Sequence, residues 1–429
     1  MSSPTEIELL EKVTKNPFGK YNGNEARYVL EVLDSENPKN KELPWATRLE
    51  DAFAKKMGLK YAVAHNSGTS TLHSCLVAAG VVAGDEVIVP AQTVIMCGWA
   101  PIYHNASPVY VDSDPQTSNM DPEDVRRKIT PKTKAIIVVH MHGLPADVPA
   151  IMRIAEEHGI TVIEDCAQCV MGTIHGELVG TIGHLSSFSL ETKKHLSTGE
   201  GGMVATNDEA LATKVRKHAG LGYKTLTAGS GLRAILPREF QNPAYKRHDT
   251  LAWNYRMPEL TAAVGLAQLE RVDAIIDRRR KIGALYLEVV RDCPWLVPQE
   301  VPAGYDHTYW TFILRYEGED ATGLTWSDFY DLHAANGGDG FYAALSIAYE
   351  EPAMKERQFY GTYIPENRQL YPNEFVFPKG TCPRAEAYQP KIMKWKTNYR
   401  DLDVAKAKIA ILRKTIDMAR AKGAASLSS

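Results

Sequence analysis

The sequence has no apolar run of the roughly 18 residues that a bilayer crossing needs, which argues against membrane insertion. It has no excess of positive charge either. Lys and Arg number 49 against 52 Asp and Glu, for a net charge of −3, so no basic field points to nucleic acid. Cysteine is scarce. The six cysteines, Cys75, Cys97, Cys166, Cys169, Cys293 and Cys382, mostly sit in apolar segments, as small buried hydrophobes do. They are too few for a disulfide framework in a chain of 429 residues, and a reducing cytoplasm is the expected setting. Cys166 and Cys169 have the spacing of a redox or zinc pair but no second pair to complete a ligand set, so no metal is expected. The stretch Met1 to Glu8 is polar and acidic, which argues against a signal peptide. There is no internal repeat and no low-complexity segment.

What remains is an ordinary globular composition, 44% hydrophobic and 24% charged, in a chain long enough for two domains. Trp45, Leu49, Phe53 and Met57 recur at helical spacing and predict a helix before Gly58. An alternation of strands and helices follows. Strands are expected at 61–64, 86–89, 108–111, 135–139 and 160–163, with helices between them. Asp121 followed by Pro122 marks one helix start. The run Ala135 to Val139 is continuous and β-branched, as in a strand buried on both faces. This rhythm predicts right-handed crossovers and a largely parallel sheet covered on both sides. Residues 221–250 are irregular and long for a connection. One long helix is expected from about Arg256 to Arg280, then a smaller αβ unit with a last helix at 402–419.

In such sheets a ligand sits beyond the carboxyl ends of the strands. Three stretches gather there. Asn66 to Thr71 lies between a strand and a helix and offers backbone N–H groups and four hydroxyls, a candidate phosphate cradle. It is neither a P-loop nor G-x-G-x-x-G, which weakens ATP and dinucleotide readings. Asp165 ends a buried strand, where a carboxylate needs a partner. The third stretch, Ser187 to Gly202, runs from a strand end through Lys193 and Lys194 to a glycine-rich turn and a second apolar run. By itself it reads as a hairpin carrying two solvated lysines. The same arrangement also suits an amine nucleophile held by a rigid sheet. His65, His140, His142 and His195 read as hydrogen-bonded structural residues, and Lys246, Arg247 and His248 as a solvated loop.

Taken in order, these pieces resemble the DegT/DnrJ/EryC1/StrS family of sugar aminotransferases, which depend on pyridoxal phosphate (PLP). The likeness rests on Asn66 to Thr69, Gly84 to Pro90, Pro108 to Asp112, Ile129 to Ile136, His140 to Asp147, Ile163 to Gln168, Ser187 to Gly202 and Asn254 to Met257. It spans about Trp45 to Arg280. The resemblance implies the α/β architecture of PLP-dependent transferases of fold type I. A large cofactor domain over 1–255, with a helical arm and a mostly parallel seven-stranded sheet between helices, would precede a smaller α+β domain over 256–429. It implies that Lys194 is the Schiff-base lysine and that Asp165 pairs with the cofactor ring nitrogen. Gln168 would meet the phenolic oxygen, and Gly68, Thr69 and Ser189 the phosphate. Asn254 would reach that phosphate from the other subunit of a homodimer.

Two positions depart from the family pattern. Val94 stands where an aromatic usually stacks on the ring, and Ala252 and Trp253 replace a glycine before the Asn254 motif. The implied reaction moves an amino group from L-glutamate, or L-glutamine, to a small-molecule keto sugar, with pyridoxamine phosphate as the cofactor's second form. A nucleotide-linked sugar is the leading acceptor. A cyclitol ketone is the alternative, supported by Gly340-Phe341-Tyr342. Relatives that act as sugar dehydratases carry His at the lysine position, and Lys194 argues against that activity despite the adjacent His195. A PLP-binding regulator or scaffold is the alternative from another class.

Overall fold

A computed structural model of the chain describes residues 16–34, 44–229, 237–343, 345–357, 359 and 376–426. The polar stretch at 1–8 and part of the irregular segment at 221–250, residues 230–236, lie outside the described residues.

Seven strands form the main sheet: β1 Tyr61–His65, β2 Glu86–Pro90, β3 Ser107–Val111, β4 Thr133–Val139, β5 Thr161–Asp165, β6 Leu185–Ser189 and β7 Gly202–Thr206. Their order is β1-β7-β6-β5-β4-β2-β3. All neighbours run parallel except β7, which is antiparallel to β6 and to β1. Central strands are buried throughout; Ala135 to Val138 are 0% exposed. That burial on both faces explains their unbroken apolar, β-branched sequence.

Helices cover both faces. Helix α1 spans Glu25–Asp34, α2 Trp45–Met57, α3 Gly68–Ala78, α4 Met96–Ile102, α5 Pro122–Lys128, α6 Val148–His158 and α7 Glu209–Ala219. The expected start at Asp121 is built as its sequence suggests. Asp121 caps α5 ahead of Pro122, and the Asp147 carboxylate accepts the Ala150 N–H in α6. The four apolar residues at helical spacing in α2 are all buried.

The long helix expected over 256–280 is two helices, α8 Glu259–Leu269 and α9 Val272–Val290. Arg271, at φ −111° and ψ 9°, breaks them apart. Its guanidinium is held by the Glu25 carboxylate and the Asn22 side chain. No glycine or proline stands at the break, and a tertiary ion pair marks it instead.

A second sheet carries β8 Leu296–Pro298, β9 Phe312–Tyr316, β10 Tyr342–Ala343 and β11 Ile392–Trp395, in the order β8-β9-β11-β10, all antiparallel. A final helix, α10, spans Leu402–Ser426 and packs on α9. Residues Ala262 to Ile276 share a buried cluster with Trp45, Phe53 and Phe188, whereas Ile282, Tyr286 and Val290 join the cluster of the second sheet. The chain passes from one core to the other within α9. Among the described residues no helix is long and apolar enough to cross a membrane.

Candidate active site

β6 and β7 pair up to Ser189 and Gly202, and the chain between them forms the lysine loop. The loop is braced from inside. Leu190 N–H donates to Gly201 O at 2.9 Å, Thr198 N–H to Leu190 O at 2.9 Å, and Lys194 N–H to Glu191 O at 2.9 Å. It is also held from outside: Trp310 Nε1 donates to Lys193 O at 3.0 Å and Arg279 Nη2 to Lys194 O at 3.3 Å. Every brace acts on backbone, so the lysine side chains remain free for other contacts. Lys193 is exposed. Lys194 turns inward, with Nζ 4.3 Å from the Trp310 ring centroid. His195 points elsewhere; its Nε2 lies 3.2 Å from Thr308 O.

Asp165 ends β5 and is buried. Its Oδ1 accepts from Ala167 N–H at 2.9 Å, and among the described residues its Oδ2 meets only the weak donor Cys97 Sγ at 3.4 Å. Burial pushes the Asp165 carboxyl above the usual range, against the pull of the Ala167 N–H and the Lys194 charge. Burial likewise pushes the Lys194 amine below its ordinary value, against Asp165 and Glu191. Glu164, one residue earlier on the opposite face, is saturated. It accepts N–H groups from Gly180, Ile182 and Gly183 at 2.7, 2.9 and 2.6 Å and sits 3.2 Å from His140 Nε2. His140, Glu164 and Cys166 group their ligand atoms within 4.8 Å. The carboxylate oxygens there are already occupied by protein donors, so the cluster is complete as a structural one. Asp165 has room for one more strong donor, and Glu164 has none.

The helix start at Gly68 supplies the third side. Ser67 and Ser70 cap each other, and Thr71 Oγ1 donates to Gly68 O and contacts Ser187 Oγ. Of the four hydroxyls, three are thus used by the fold. The N–H groups of Gly68 and Thr69 and the Thr69 hydroxyl have no protein partner among the described residues. A Cβ on Gly68 would lie 2.7 Å from Ser189 Cβ, so helix start and strand end meet with only a glycine's clearance. The free donors at this helix N-terminus face the end of β6, an arrangement that suits an anion.

Gln168 is buried, and its Oε1 accepts from His142 N–H at 2.8 Å. Its amide N–H groups have no acceptor among the described residues. Val94 is half-buried, and its carbonyl accepts the Cys97 N–H in the turn that carries Cys97 to Asp165. Asn254 is exposed and bridges to Gly220, while the next residue, Tyr255, accepts the Asn66 N–H at 2.8 Å. Asn254 thus lies on the edge beside the Gly68 cradle. Lys246, Arg247 and His248 lie on an outer, largely exposed segment.

Sequence reading missed Cys97 and Lys394. Lys394 on β11 is half-buried, 5.7 Å from the Trp310 ring centroid, and burial and the Lys193 charge push its amine down. With Lys193, Trp310 and Tyr342 it lines a cavity of about 520 Å³. Trp310 was legible only as a core or pocket-wall aromatic. Nothing in the local sequence links these residues to Lys194, because three separate segments bring them together.

Known proteins share this arrangement of chain. Relatives include the GDP-perosamine synthase of Caulobacter vibrioides, 38% identical over 304 residues, which cover 69% of this chain and 75% of the relative. The GDP-perosamine synthase of Escherichia coli O157:H7 is 39% identical over 288 residues, 67% and 74% of the two chains. Among solved structures, an aminotransferase from Psychrobacter cryohalolentis superposes with a TM-score of 0.77 at 27% identity, covering 92% of this chain and 96% of its own. S. venezuelae DesV, solved with a ketimine intermediate, gives 0.75 at 25% identity, with 96% and 97% covered. The family model of the DegT/DnrJ/EryC1/StrS aminotransferases matches residues 20–392, and with the lysine loop, the β5 carboxylate and the Gly68 cradle all inside that span, the chain belongs to this aminotransferase family.

Proposed function

We propose that this aminotransferase uses pyridoxal phosphate to move an amino group from L-glutamate or L-glutamine to a nucleotide-linked keto sugar. The observation that carries the reading is the convergence of Lys194, an under-coordinated buried Asp165 and the glycine-tight cradle at Gly68 and Ser189. The residues fit the cofactor. Thr69, Ser189 and the free N–H groups at Gly68 and Thr69 would hold its phosphate. Asp165 would accept the ring N–H at the oxygen that now meets only Cys97. Gln168 would donate to the phenolic oxygen, and Val94 would offer an apolar wall. When bound, the cofactor supplies an electron sink next to the carbon that exchanges its amino group.

The chain's own residues do the rest. Lys194 would bond the aldehyde carbon and, when displaced by a donor amine, move the α-proton as base and acid at Nζ. Its depressed basicity favours the neutral amine that this work needs. Trp310 shields that amine from water on one side. Lys193 and Lys394 line the adjoining cavity and suit a diphosphate. The relatives named for GDP-perosamine support a nucleotide-linked acceptor.

Homodimer formation belongs to the same reading. Leu251 is 93% and Trp253 55% exposed beside Asn254, an apolar patch that a second copy would cover. So does a division into a large cofactor-binding part and a smaller C-terminal part. Six unpaired, buried cysteines suit a cytoplasmic setting.

The test loads the protein with PLP, adds L-glutamate or L-glutamine, and follows the visible cofactor band. Loss of the band, then its return on adding a GDP-linked keto sugar with release of the amino sugar, is the expected result. A protein with no borohydride-reducible band, or a Lys194→Ala protein with full turnover, would overturn the reading. Mixing Lys194→Ala with Asn254→Ala protein checks the shared site. Each alone is expected to be impaired, and the mixed dimer regains one complete site.

A further inference from the structure

Beside the lysine loop, lined by Thr192, Lys194, His195 and Ser197 of that loop, lies a second and smaller cavity of about 50 Å³. Its walls are cationic. Lys20, Arg271, Arg278, Arg279 and Arg400 all line it, and no Asp or Glu does. Among the described residues only Arg271 is matched by a carboxylate, that of Glu25. Arg279 is 5% exposed and among the described residues is held by neutral oxygens alone: Trp310 O at 2.8 Å, Thr397 Oγ1 at 3.1 Å and Lys194 O at 3.3 Å. Arg278 and Arg400 make no ion pair among the described residues. Lys20 Nζ donates to Thr192 O at 2.9 Å, again a neutral acceptor. His195, also on the wall, is 3% exposed, and its Nδ1 has no hydrogen-bond partner among the described residues.

The buried Arg279 guanidinium is costly without an anion, and the half-buried Arg278 and the exposed Arg400 share the cavity and repel it. Burial and the charges of Arg400 and Arg271 push Arg278 below its ordinary value, and burial with the charges of Arg278 and Arg400 pushes Arg279 to about 9. The fold bears this repulsion at one place, and an anion would relieve it. The volume suits a small anion and excludes a nucleotide. Donors from the N-terminal arm, the lysine loop, α9 and the Asn398–Arg400 turn approach from several sides, which matches a tetrahedral oxyanion better than a planar carboxylate.

We propose that this cavity is a binding site for a small tetrahedral oxyanion, inorganic phosphate or sulfate, held chiefly by Arg278, Arg400 and Lys20. The site is separate from the cradle at Gly68. It is connected to the lysine loop, because Arg279 lines the cavity and also donates to the carbonyl of Lys194. An anion drawing on Arg279 therefore bears on the segment that carries the reactive amine.

The test is calorimetric titration of inorganic phosphate into PLP-saturated protein at constant ionic strength, with the melting temperature followed in parallel against chloride. One equivalent is expected to bind, with a rise in melting temperature. The double variant Arg278→Gln, Arg400→Gln should weaken phosphate by about tenfold or more, as loss of two charge-assisted contacts does. Its melting temperature in chloride should hold or rise, since like charges have been removed. A Thr69→Val protein should bind phosphate at this site as before. No saturable binding, or unchanged affinity in the double variant, overturns the proposal. So does loss of binding in Thr69→Val, which would place the anion at the Gly68 cradle. Acetate binding more tightly than sulfate would overturn the tetrahedral assignment.

Discussion

Lys193 and Lys194 are adjacent in sequence and opposite in surroundings. Lys193 faces solvent, while Lys194 lies over Trp310 and within the field of Asp165. Replacing Lys194 with Ala is expected to cut amino transfer by more than about a hundredfold, as loss of a positioned acid–base group does. Lys193→Ala should keep kcat within a few-fold and act instead on the KM for the nucleotide-linked acceptor, and steady-state assays of the two variants decide it. Gly68 tests the cradle differently. A methyl there meets Ser189 Cβ at 2.7 Å. Gly68→Ala is expected to weaken cofactor binding and to cost about 1–3 kcal/mol by overpacking. Adding Ser189→Gly should restore much of the stability, read by thermal melting, and little of the phosphate contact, read by PLP titration. At this scale the sequence was informative where order mattered. Lys194, Asp165 and Gly68 sit in motifs whose succession carries the resemblance. Cys97 and Lys394 sit in none, and they reach the site only because α4 and β11 are folded against it.

Elements divide the work between neighbours on one strand. β5 ends in Glu164 and Asp165, whose side chains face opposite sides. Glu164 ties the turn at 180–183 that feeds β6, through three backbone N–H groups, and Asp165 faces the site. Glu164→Gln turns a full acceptor set into a mismatched one and leaves His140 beside an amide. It is expected to destabilise by about 2–4 kcal/mol, with PLP affinity little changed once folded. Urea denaturation followed by cofactor titration at low urea checks both halves; a variant as stable as the parent would remove the bracing role. Strands were legible because burial on both faces demands continuous apolar runs. The break between α8 and α9 was not, since Leu269-Glu270-Arg271-Val272 carries no helix breaker. The residue that meets Arg271 at the break, Glu25, lies far back in sequence.

The whole molecule holds several histidines in surroundings that exclude charge. His65, His142 and His307 are buried, and burial takes each from about 6.5 down to about 3. His65 is satisfied as a neutral ring, between Val63 O at 3.0 Å and Ser74 Oγ at 2.9 Å. The unfolded chain therefore binds more protons than the folded one between those two values. Stability from these groups is complete above about pH 6.5 and is lost as pH falls toward 3. Each histidine removes about 1.4 kcal/mol per pH unit inside that window. Asp165 works in the opposite direction: its raised carboxyl favours folding at low pH and loses that contribution as pH rises through its folded value. Glu50 acts as Asp165 does, but His73, His195, His218 and His333 are depressed by burial as well, which leaves the histidines in control on the way down from neutrality. The urea midpoint should therefore fall between about pH 7.5 and pH 5.5, by a few kcal/mol of stability in total. His65→Asn should flatten the slope by one histidine's share, about 1.4 kcal/mol per pH unit, and leave cofactor binding intact, because His65 packs on Ser74 in α3 and does not line the site. A midpoint that stays level over the same range would mean that these imidazoles reach water in the folded protein.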